Sequence, residues 1–357
     1  MDNPAINIIS VCTGIGGLDV GVGNALRTLG YDPFTVCYVE REAFACAVMA
    51  ARMEARAVDQ APIWTDIKSF PGRSFSTYTD MVIGGIPCQD FSVAGKRGGT
   101  GGERWLWPDF WRIVRETNAQ MFFLENVPGF VSGGGLAEVL SVLAGGGWDA
   151  RWNCFSASEV GAPHRRERLF LLAVRNGTEW HRRIEHADAT GGAGFTDSRE
   201  NMADAVGCRR REQSNGDKPE RQHDSKGGIM ANTDNAGLQG RELSEACDVY
   251  RNRTEAHGSI AESGEIPVWP PGPNDHSAWR QVMAIRSDLM PSLGGKLNHR
   301  FVEWLMGIPI DWTKLPGESN DAHRIDRLRC LGNAVVPATA ELAFRTLFNR
   351  CVKNEVV

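Results

Sequence analysis

Short apolar runs alternate with helix-like stretches through the first half of the chain, and this alternation is the strongest constraint on its fold. Stretches with helical character lie between the runs, at 18–29, 42–53 and 107–117. The strand-like runs are rich in branched and aromatic residues and occupy 6–12, 34–40, 81–87, 121–127 and 168–174. Strands that alternate with helices favour a sheet covered on both faces. We therefore predict an α/β fold with a doubly wound, mostly parallel sheet.

The composition changes in the second half of the chain. Between residues 181 and 265 the only aromatic side chains are Phe195 and Tyr250, so this segment has little to bury. Apolar patterns return near residue 297. The predicted organisation is an α/β body at 1–175, an inserted variable region at 176–295 and a C-terminal return at 296–357.

Composition and cysteine usage exclude several classes of protein. The nine cysteines are an odd number and contain no CxxC pair, which disfavours a disulfide framework and a zinc ribbon. No apolar run approaches the roughly 18 residues of a membrane helix, and the first residues do not resemble a signal peptide. We expect a cytoplasmic chain with no membrane and no metal. The net charge of −5 disfavours general coating of nucleic acid but leaves a local basic cleft open.

A glycine-rich turn, "CTGIGGLD", follows the first predicted strand and opens the first helix. Gly14 and Gly16 match the start of GxGxxG, but an aspartate takes the third glycine position, so a dinucleotide diphosphate is disfavoured. Glu40 ends the second strand, where it suits two ribose hydroxyls, and Asp66 suits an adenine amino group. Together they indicate an adenosyl ligand without a diphosphate, and S-adenosylmethionine fits. A tight turn beside a surface glutamate is the alternative.

A single thiol, Cys88, ends another predicted strand in "GGIPCQDFSVAGKRGG". Open α/β sheets bind ligands at the carboxyl ends of their strands. A buried structural cysteine is the alternative, but such a cysteine needs no glycine-rich, basic loop after it. The glycines of this loop suit movement and its polar and basic residues suit phosphate groups, so the loop is a candidate lid over a nucleic-acid strand. Its predicted contacts with DNA are Gln89, Ser92, Lys96 and Arg97.

An acid and two arginines follow on neighbouring predicted strands. Glu125 ends the strand "MFFLEN", and Arg166 and Arg168 lie at i and i+2 just before "LFLLAV". An extended backbone would point both arginines to one face. A surface acid and a solvated basic run are the alternatives.

The chemistry of cytosine links these groups. A thiolate that attacks carbon 6 of a pyrimidine needs a proton or hydrogen bond at ring nitrogen 3, which a carboxyl group with a raised pKa supplies. Attack makes carbon 5 nucleophilic enough to accept a methyl group from a sulfonium. Nearby arginines favour the thiolate and hold the carbonyl oxygen. In duplex DNA the base must first leave the stack.

The chain resembles the cytosine-5 DNA methyltransferases. The resemblance covers nearly the whole chain except roughly 180–290, and its motifs occur in family order. "TGIGGLD" is similar to the cofactor loop, "GGIPCQDFS" to the Pro-Cys motif, "ENV" to the acid motif and "HRRERLF" to the Gln-x-Arg-x-Arg motif. "LNHRFVEWLMGIPIDW" and "GNAVVP" resemble the two closing motifs. Departures are Cys12 for a stacking phenylalanine, His164 for glutamine and Asp90 for a proline or small residue.

The resemblance implies a class I methyltransferase fold, Rossmann-like, with a target-recognition domain in the variable region. It implies that Cys88 is the nucleophile, that Glu125 contacts the ring nitrogen, and that Arg166 and Arg168 surround the cytosine and thiol. The residues predicted to bind S-adenosylmethionine, with S-adenosylhomocysteine as product, are Gly14, Ile15, Gly16, Gly17, Glu40, Asp66, Ile67, Pro87, Leu106 and Asn333.

The predicted substrate is double-stranded DNA of a specific sequence, methylated by a monomeric enzyme of prokaryotic or phage origin. A cognate restriction endonuclease is a candidate partner. Three alternatives stay open: an RNA-directed enzyme of the same fold, a non-catalytic DNA-binding regulator, and, more weakly, a nicotinamide dehydrogenase.

Overall fold

The computed structural model of the chain describes residues 3–87, 105–181, 266–319 and 322–349. The strands are β1 (Ala5–Val11), β2 (Asp32–Val39), β3 (Ile63–Trp64), β4 (Met81–Gly85), β5 (Met121–Asn126), β6 (Trp148–Phe155), β7 (Arg168–Arg175), β8 (Ser292–Leu293) and β9 (Lys296–Leu297). The helices are α1 (Gly17–Thr28), α2 (Ala43–Glu54), α3 (Trp107–Glu116), α4 (Gly129–Ser132), α5 (Gly135–Gly146), α6 (His276–Ile285), α7 (His299–Leu305), α8 (Arg324–Asn333) and α9 (Pro337–Asn349). Single 3-10 turns lie at Ile67–Ser69, Gly72–Phe75, Ala157–Val160 and Ser287–Leu289.

The main sheet has the strand order β3-β2-β1-β4-β5-β7-β6. Strands β1 to β5 pair in parallel, whereas β7 runs antiparallel between β5 and β6. The five predicted strands and the mostly parallel α/β class are confirmed. The order reverses between β1 and β4, and open α/β sheets bind ligands at the carboxyl ends of strands beside such a reversal.

Alternate residues of each strand face two different helical layers, because successive side chains of a strand point to opposite faces. Ile8 and Phe123 pack with helices α1 and α9 on one face, and Ile9 and Phe122 pack with α3 and α5 on the other. These four side chains are almost fully buried. The result is a three-layer arrangement with helices on both faces of the sheet.

Helix α9 packs directly on helix α1, which follows the first strand. The contact needs glycine on α1. A Cβ atom at Gly21 would lie 2.4 Å from the carbonyl oxygen of Pro337, and one at Gly17 would lie 2.4 Å from that of Val335. Backbone therefore meets backbone immediately after the glycine-rich turn.

A separate apolar cluster holds helices α6 and α7 together. Val282, Leu289 and Trp304 form its buried centre. Asn298 begins α7 by accepting a hydrogen bond from the backbone N–H of Arg300, and its amide donates to the carbonyl oxygens of Asp288 and Met290. This cluster joins α6, in the predicted variable region of 176–295, to α7, in the predicted C-terminal return. The assignment of the variable region to target recognition stays a prediction.

Candidate active site

The carboxyl ends of β4 and β5 lie side by side, with Gly85 paired to Glu125. A Cβ atom at Gly85 would lie 3.1 Å from Oε2 of Glu125, so the acid faces the end of the strand that leads to Cys88. Cys88 itself, and the predicted DNA contacts Gln89, Ser92, Lys96 and Arg97, fall outside the described residues. Their roles stay predictions.

Glu125 is a buried acid with a cationic neighbour. Arg168 begins β7, which lies antiparallel beside β5, and its Nε is 3.1 Å from Oε1 of Glu125. Burial raises the pKa of Glu125, while Arg168 and, more weakly, Arg166 lower it; the net direction is upward. The carboxyl group therefore keeps its proton to higher pH than a free glutamate, as a general acid requires.

Arg166 does not have the extended backbone expected from its i, i+2 spacing with Arg168. Its φ of 32° is positive, so the expectation that both side chains point to one face by strand geometry is wrong at this residue. The tight bend follows Pro163 and His164 and directs the Arg166 guanidinium to the carbonyl oxygens of Gly332 and Ala334. Burial lowers the pKa of Arg166 to about 10, which leaves it charged at neutral pH.

His164, which stands in place of the family's glutamine, fastens the same loop to helix α7. Its Nε2 lies 2.7 Å from the carbonyl oxygen of Leu305. Because a carbonyl only accepts, Nε2 carries the proton. Burial lowers the pKa of His164, so the ring is neutral at physiological pH and acts as a fixed donor.

The glycine-rich turn is held open by Glu40. One carboxylate oxygen of Glu40 accepts from the N–H of Gly14 at 2.7 Å, and the other accepts from the N–H groups of Arg41 and Glu42. Gly14 has a φ of 59°, and a Cβ atom there would meet nothing within 4 Å. The turn thus exposes backbone without side chains beside the reversal of strand order between β1 and β4, where a ligand can approach closely.

Trp312 supports this turn from behind and was not foreseen from the sequence. Its indole N–H donates to the carbonyl oxygen of Ile15 at 2.8 Å. Gly16 occupies the N-cap position of α1 with a φ of 82°, and Gly17 starts the helix. No sequence signal links residues 15 and 312, because the contact joins positions almost 300 residues apart.

Three other predicted cofactor residues lie around the ends of β3 and β4. Asp66 accepts from the N–H of Lys68 and starts a 3-10 turn that buries Ile67. Pro87 is exposed beyond β4. Arg112 of α3, also missed from the sequence, ties the 3-10 turn down through the carbonyl oxygens of Ile67 and Phe70.

The two remaining predicted contacts, Leu106 and Asn333, lie at helix ends, and Cys12 packs against the same apolar cluster as Leu106. Leu106 precedes α3, and Asn333 is exposed at the end of α8. Burial, Glu40 and Asp109 raise the pKa of Cys12 to about 12, so its thiol stays neutral. Cys12 packs against the core and offers a small apolar surface where the family often has phenylalanine.

Two features of the described residues bear on the expected absences. No group of three or more His, Cys, Asp or Glu side chains in those ranges could hold a metal ion. Within the same residues, no helix combines the length and apolar character needed to cross a bilayer.

Comparison with solved structures supports the fold. A variant of Spodoptera frugiperda DNMT2 superimposes with a TM-score of 0.52 at 16% identity, over 96% of this chain and 99% of the other. The Entamoeba histolytica methyltransferase EhMeth superimposes with a TM-score of 0.53 at 13% identity, over 98% and 99%. At such low identity these similarities establish the architecture alone.

Curated relatives are Type II methyltransferases. M.AquIA of Picosynechococcus is 31% identical over 185 residues, 48% of this chain and 72% of the relative. M.BanI of Aneurinibacillus aneurinilyticus is 30% identical over 47% and 38%, and M.NgoMIV of Neisseria gonorrhoeae is 29% identical over 47% and 51%. The matches thus span about half the length or less of the last two.

A family model described as C-5 cytosine-specific DNA methylase matches residues 6–349, nearly the whole chain. That range contains both the glycine-rich turn after β1 and the acid–arginine pair of β5 and β7. The chain therefore belongs to the C-5 cytosine-specific DNA methylase family.

Proposed function

We propose that the chain is a DNA (cytosine-5-)-methyltransferase that transfers a methyl group from S-adenosylmethionine to carbon 5 of cytosine within a specific sequence of duplex DNA. The single observation that carries the site assignment is the buried Glu125 carboxyl, with its raised pKa, beside Arg168 at the edge that leads to Cys88. Membership of the family supports the choice of base and position.

The acidic residues that follow strands β2 and β3 suit an adenosyl cofactor. Glu40 uses three of roughly four carboxylate lone-pair positions on backbone N–H groups, which leaves acceptor capacity for a ribose hydroxyl. Asp66 has one oxygen on Lys68 N–H and a second for an amino group. When bound, S-adenosylmethionine supplies an electrophilic methyl group.

The chain's own residues provide the remaining chemistry. The Cys88 thiolate forms a bond to carbon 6 of the extruded cytosine, and Glu125 donates its proton to ring nitrogen 3 as the ring electrons shift. Carbon 5 then takes the methyl group. Loss of the carbon 5 proton to water breaks the bond to sulfur, restores the ring and regenerates the thiolate, and nitrogen 3 returns its proton to Glu125.

Substitution of the thiol tests the proposed nucleophile. Cys88→Ser is expected to lose methyl transfer by several orders of magnitude while keeping affinity for S-adenosylhomocysteine, because an alcohol does not ionise at neutral pH. Duplex DNA carrying 5-fluorocytosine is expected to trap the wild-type chain covalently, since fluorine cannot leave as a proton. Denaturing gels and mass spectrometry measure the adduct.

The control for this experiment is Cys37→Ser, a buried thiol in β2 that hydrogen-bonds a carbonyl and can be replaced by a hydroxyl. It should form the adduct normally. Full activity in Cys88→Ser, or an active wild-type chain that forms no adduct, would contradict thiolate attack. Parallel assays on duplex DNA and tRNA separate the proposed substrate from the RNA alternative.

Replacement of the ribose acid tests the cofactor site. Glu40→Gln leaves one acceptor oxygen and turns an N–H donor towards backbone N–H groups, so affinity for S-adenosylhomocysteine should fall at least about tenfold. Isothermal titration without DNA measures it. Glu42→Gln is the matched control, because Glu42 accepts from Ala45 N–H and not from the glycine-rich turn. Equal losses in both variants would contradict a specific role for Glu40.

The wider biological setting is also a proposal. The bacterial and viral sources of the relatives support a prokaryotic or phage origin and a cytoplasmic enzyme that acts on duplex DNA. Their description as Type II methyltransferases supports a cognate restriction endonuclease as partner. A monomeric state and the recognised sequence are questions for solution measurement and for bisulfite mapping of a methylated plasmid.

A further inference from the structure

The Arg166 side chain reaches out of its loop to the other end of the chain. Its Nη2 donates to the carbonyl oxygen of Gly332 at 2.7 Å and to that of Ala334 at 2.6 Å. Hydrogen bonds from a charged guanidinium are stronger than neutral ones. The two contacts join residues more than 160 positions apart and bracket Asn333.

These carbonyl oxygens lie where helix α8 ends. The chain leaves the helix at Ala334, whose backbone is extended with φ −68° and ψ 155°, before α9 starts at Pro337. The last carbonyls of a helix lack intrahelical partners and carry the negative end of its dipole. Arg166 supplies the cation that this helix end needs, from a distant part of the sequence.

The turn that Arg166 holds also touches the glycine-rich turn. The carbonyl oxygen of Val335 lies so close to Gly17 that a Cβ atom there would be 2.4 Å away. A shift of residues 332–336 would therefore be transmitted to the first residue of α1 and to the loop before it. Because backbone packs directly against backbone, residues 332–336 and the start of α1 cannot move independently of each other.

We propose that Arg166 is a positioning residue that fixes the α8–α9 turn against the glycine-rich turn and so shapes the cofactor side of the site. This inference rests on the proposed function. Arg168, two residues later, contacts Glu125 on the substrate side. Arg166 thus adds a contact with the α8–α9 turn to its electrostatic interaction with Glu125, whereas Arg168 contacts Glu125 directly.

The test measures cofactor affinity without DNA. Arg166→Ala is expected to weaken binding of S-adenosylhomocysteine at least about tenfold by isothermal titration, and Arg166→Lys to recover part of the loss because an ammonium can still donate to one carbonyl. Arg165→Ala is the matched control, because that neighbouring side chain is exposed. Arg168→Gln should also keep wild-type affinity, although it removes the partner of Glu125.

A second readout separates positioning from general loss of structure. Hydrogen exchange of Arg166→Ala should rise in residues 332–340 and stay at the wild-type level in helix α5. If the wild-type chain binds S-adenosylhomocysteine and Arg166→Ala binds it equally well, the inference is overturned while the proposed function stands. Hydrogen exchange that rises equally in all parts of the variant would have the same consequence. A wild-type chain that does not bind S-adenosylhomocysteine would overturn the proposed function and the inference with it.

Discussion

Glu125→Gln is expected to lower the single-turnover rate of DNA methylation by about 10²–10⁴-fold, the usual contribution of a positioned acid or base. The amide matches the carboxyl in size, so the variant loses the proton rather than the packing at the end of β5. Because burial raises the pKa of Glu125, the wild-type rate should fall as pH rises and the carboxyl loses its proton. The variant should lack that limb of the pH profile.

A quench assay with labelled methyl donor and excess enzyme measures both effects. Glu54→Gln, which removes an exposed carboxylate at the end of α2, is the control and should methylate normally. Affinity for S-adenosylhomocysteine should be unchanged in both variants. A Glu125→Gln enzyme with more than about a tenth of wild-type activity would show that nitrogen 3 needs no carboxyl donor.

The positions of the strand ends could be predicted from the sequence because each central strand is buried on both faces. Such strands read as unbroken apolar runs, and the first polar residue after them marks the edge where ligands bind. Glu40 and Glu125 were placed by that reasoning. Strand β6 was missed because it lies at the edge of the sheet with one face partly exposed, so "WDARWNCF" alternates polar and apolar residues and forms no continuous apolar run.

Contacts between distant residues were beyond the reach of sequence patterns. The positive φ of Arg166 depends on the loop's attachment to Leu305 and to the end of α8, which no local propensity encodes. Trp312 supports Ile15 for the same kind of reason. Motif spacing singled out the candidate residues, whereas the partners of their side chains are set by how α7, α8 and α9 pack.

The second large effect concerns a buried ion pair that anchors helix α8. Arg327 of α8 is 1% exposed, and its Nη2 lies 3.3 Å from Oε1 of Glu303, a side chain of α7 that is fully buried. The Arg327 Nε also donates to Thr313. Glu303 in turn accepts from the backbone N–H groups of Asp311 and Thr313, so one buried carboxylate organises the segment between the two helices.

Removal of one partner from such a pair leaves an uncompensated charge in the interior, so Arg327→Met is expected to lower the free energy of unfolding by about 3–5 kcal/mol. Arg329→Met is the matched control on the same helix: its side chain is 55% exposed and pairs with Asp326 at the surface, so the loss should be at most about 1 kcal/mol. Urea titration followed by tryptophan fluorescence measures both. The double variant Glu303→Gln/Arg327→Met should recover part of the loss, because neutralising the acid removes the unpaired charge. Equal destabilisation by Arg327→Met and Arg329→Met would mean that the buried pair contributes no more to the free energy of unfolding than a surface ion pair does. The position of α8 beside Arg166 would then depend on apolar packing.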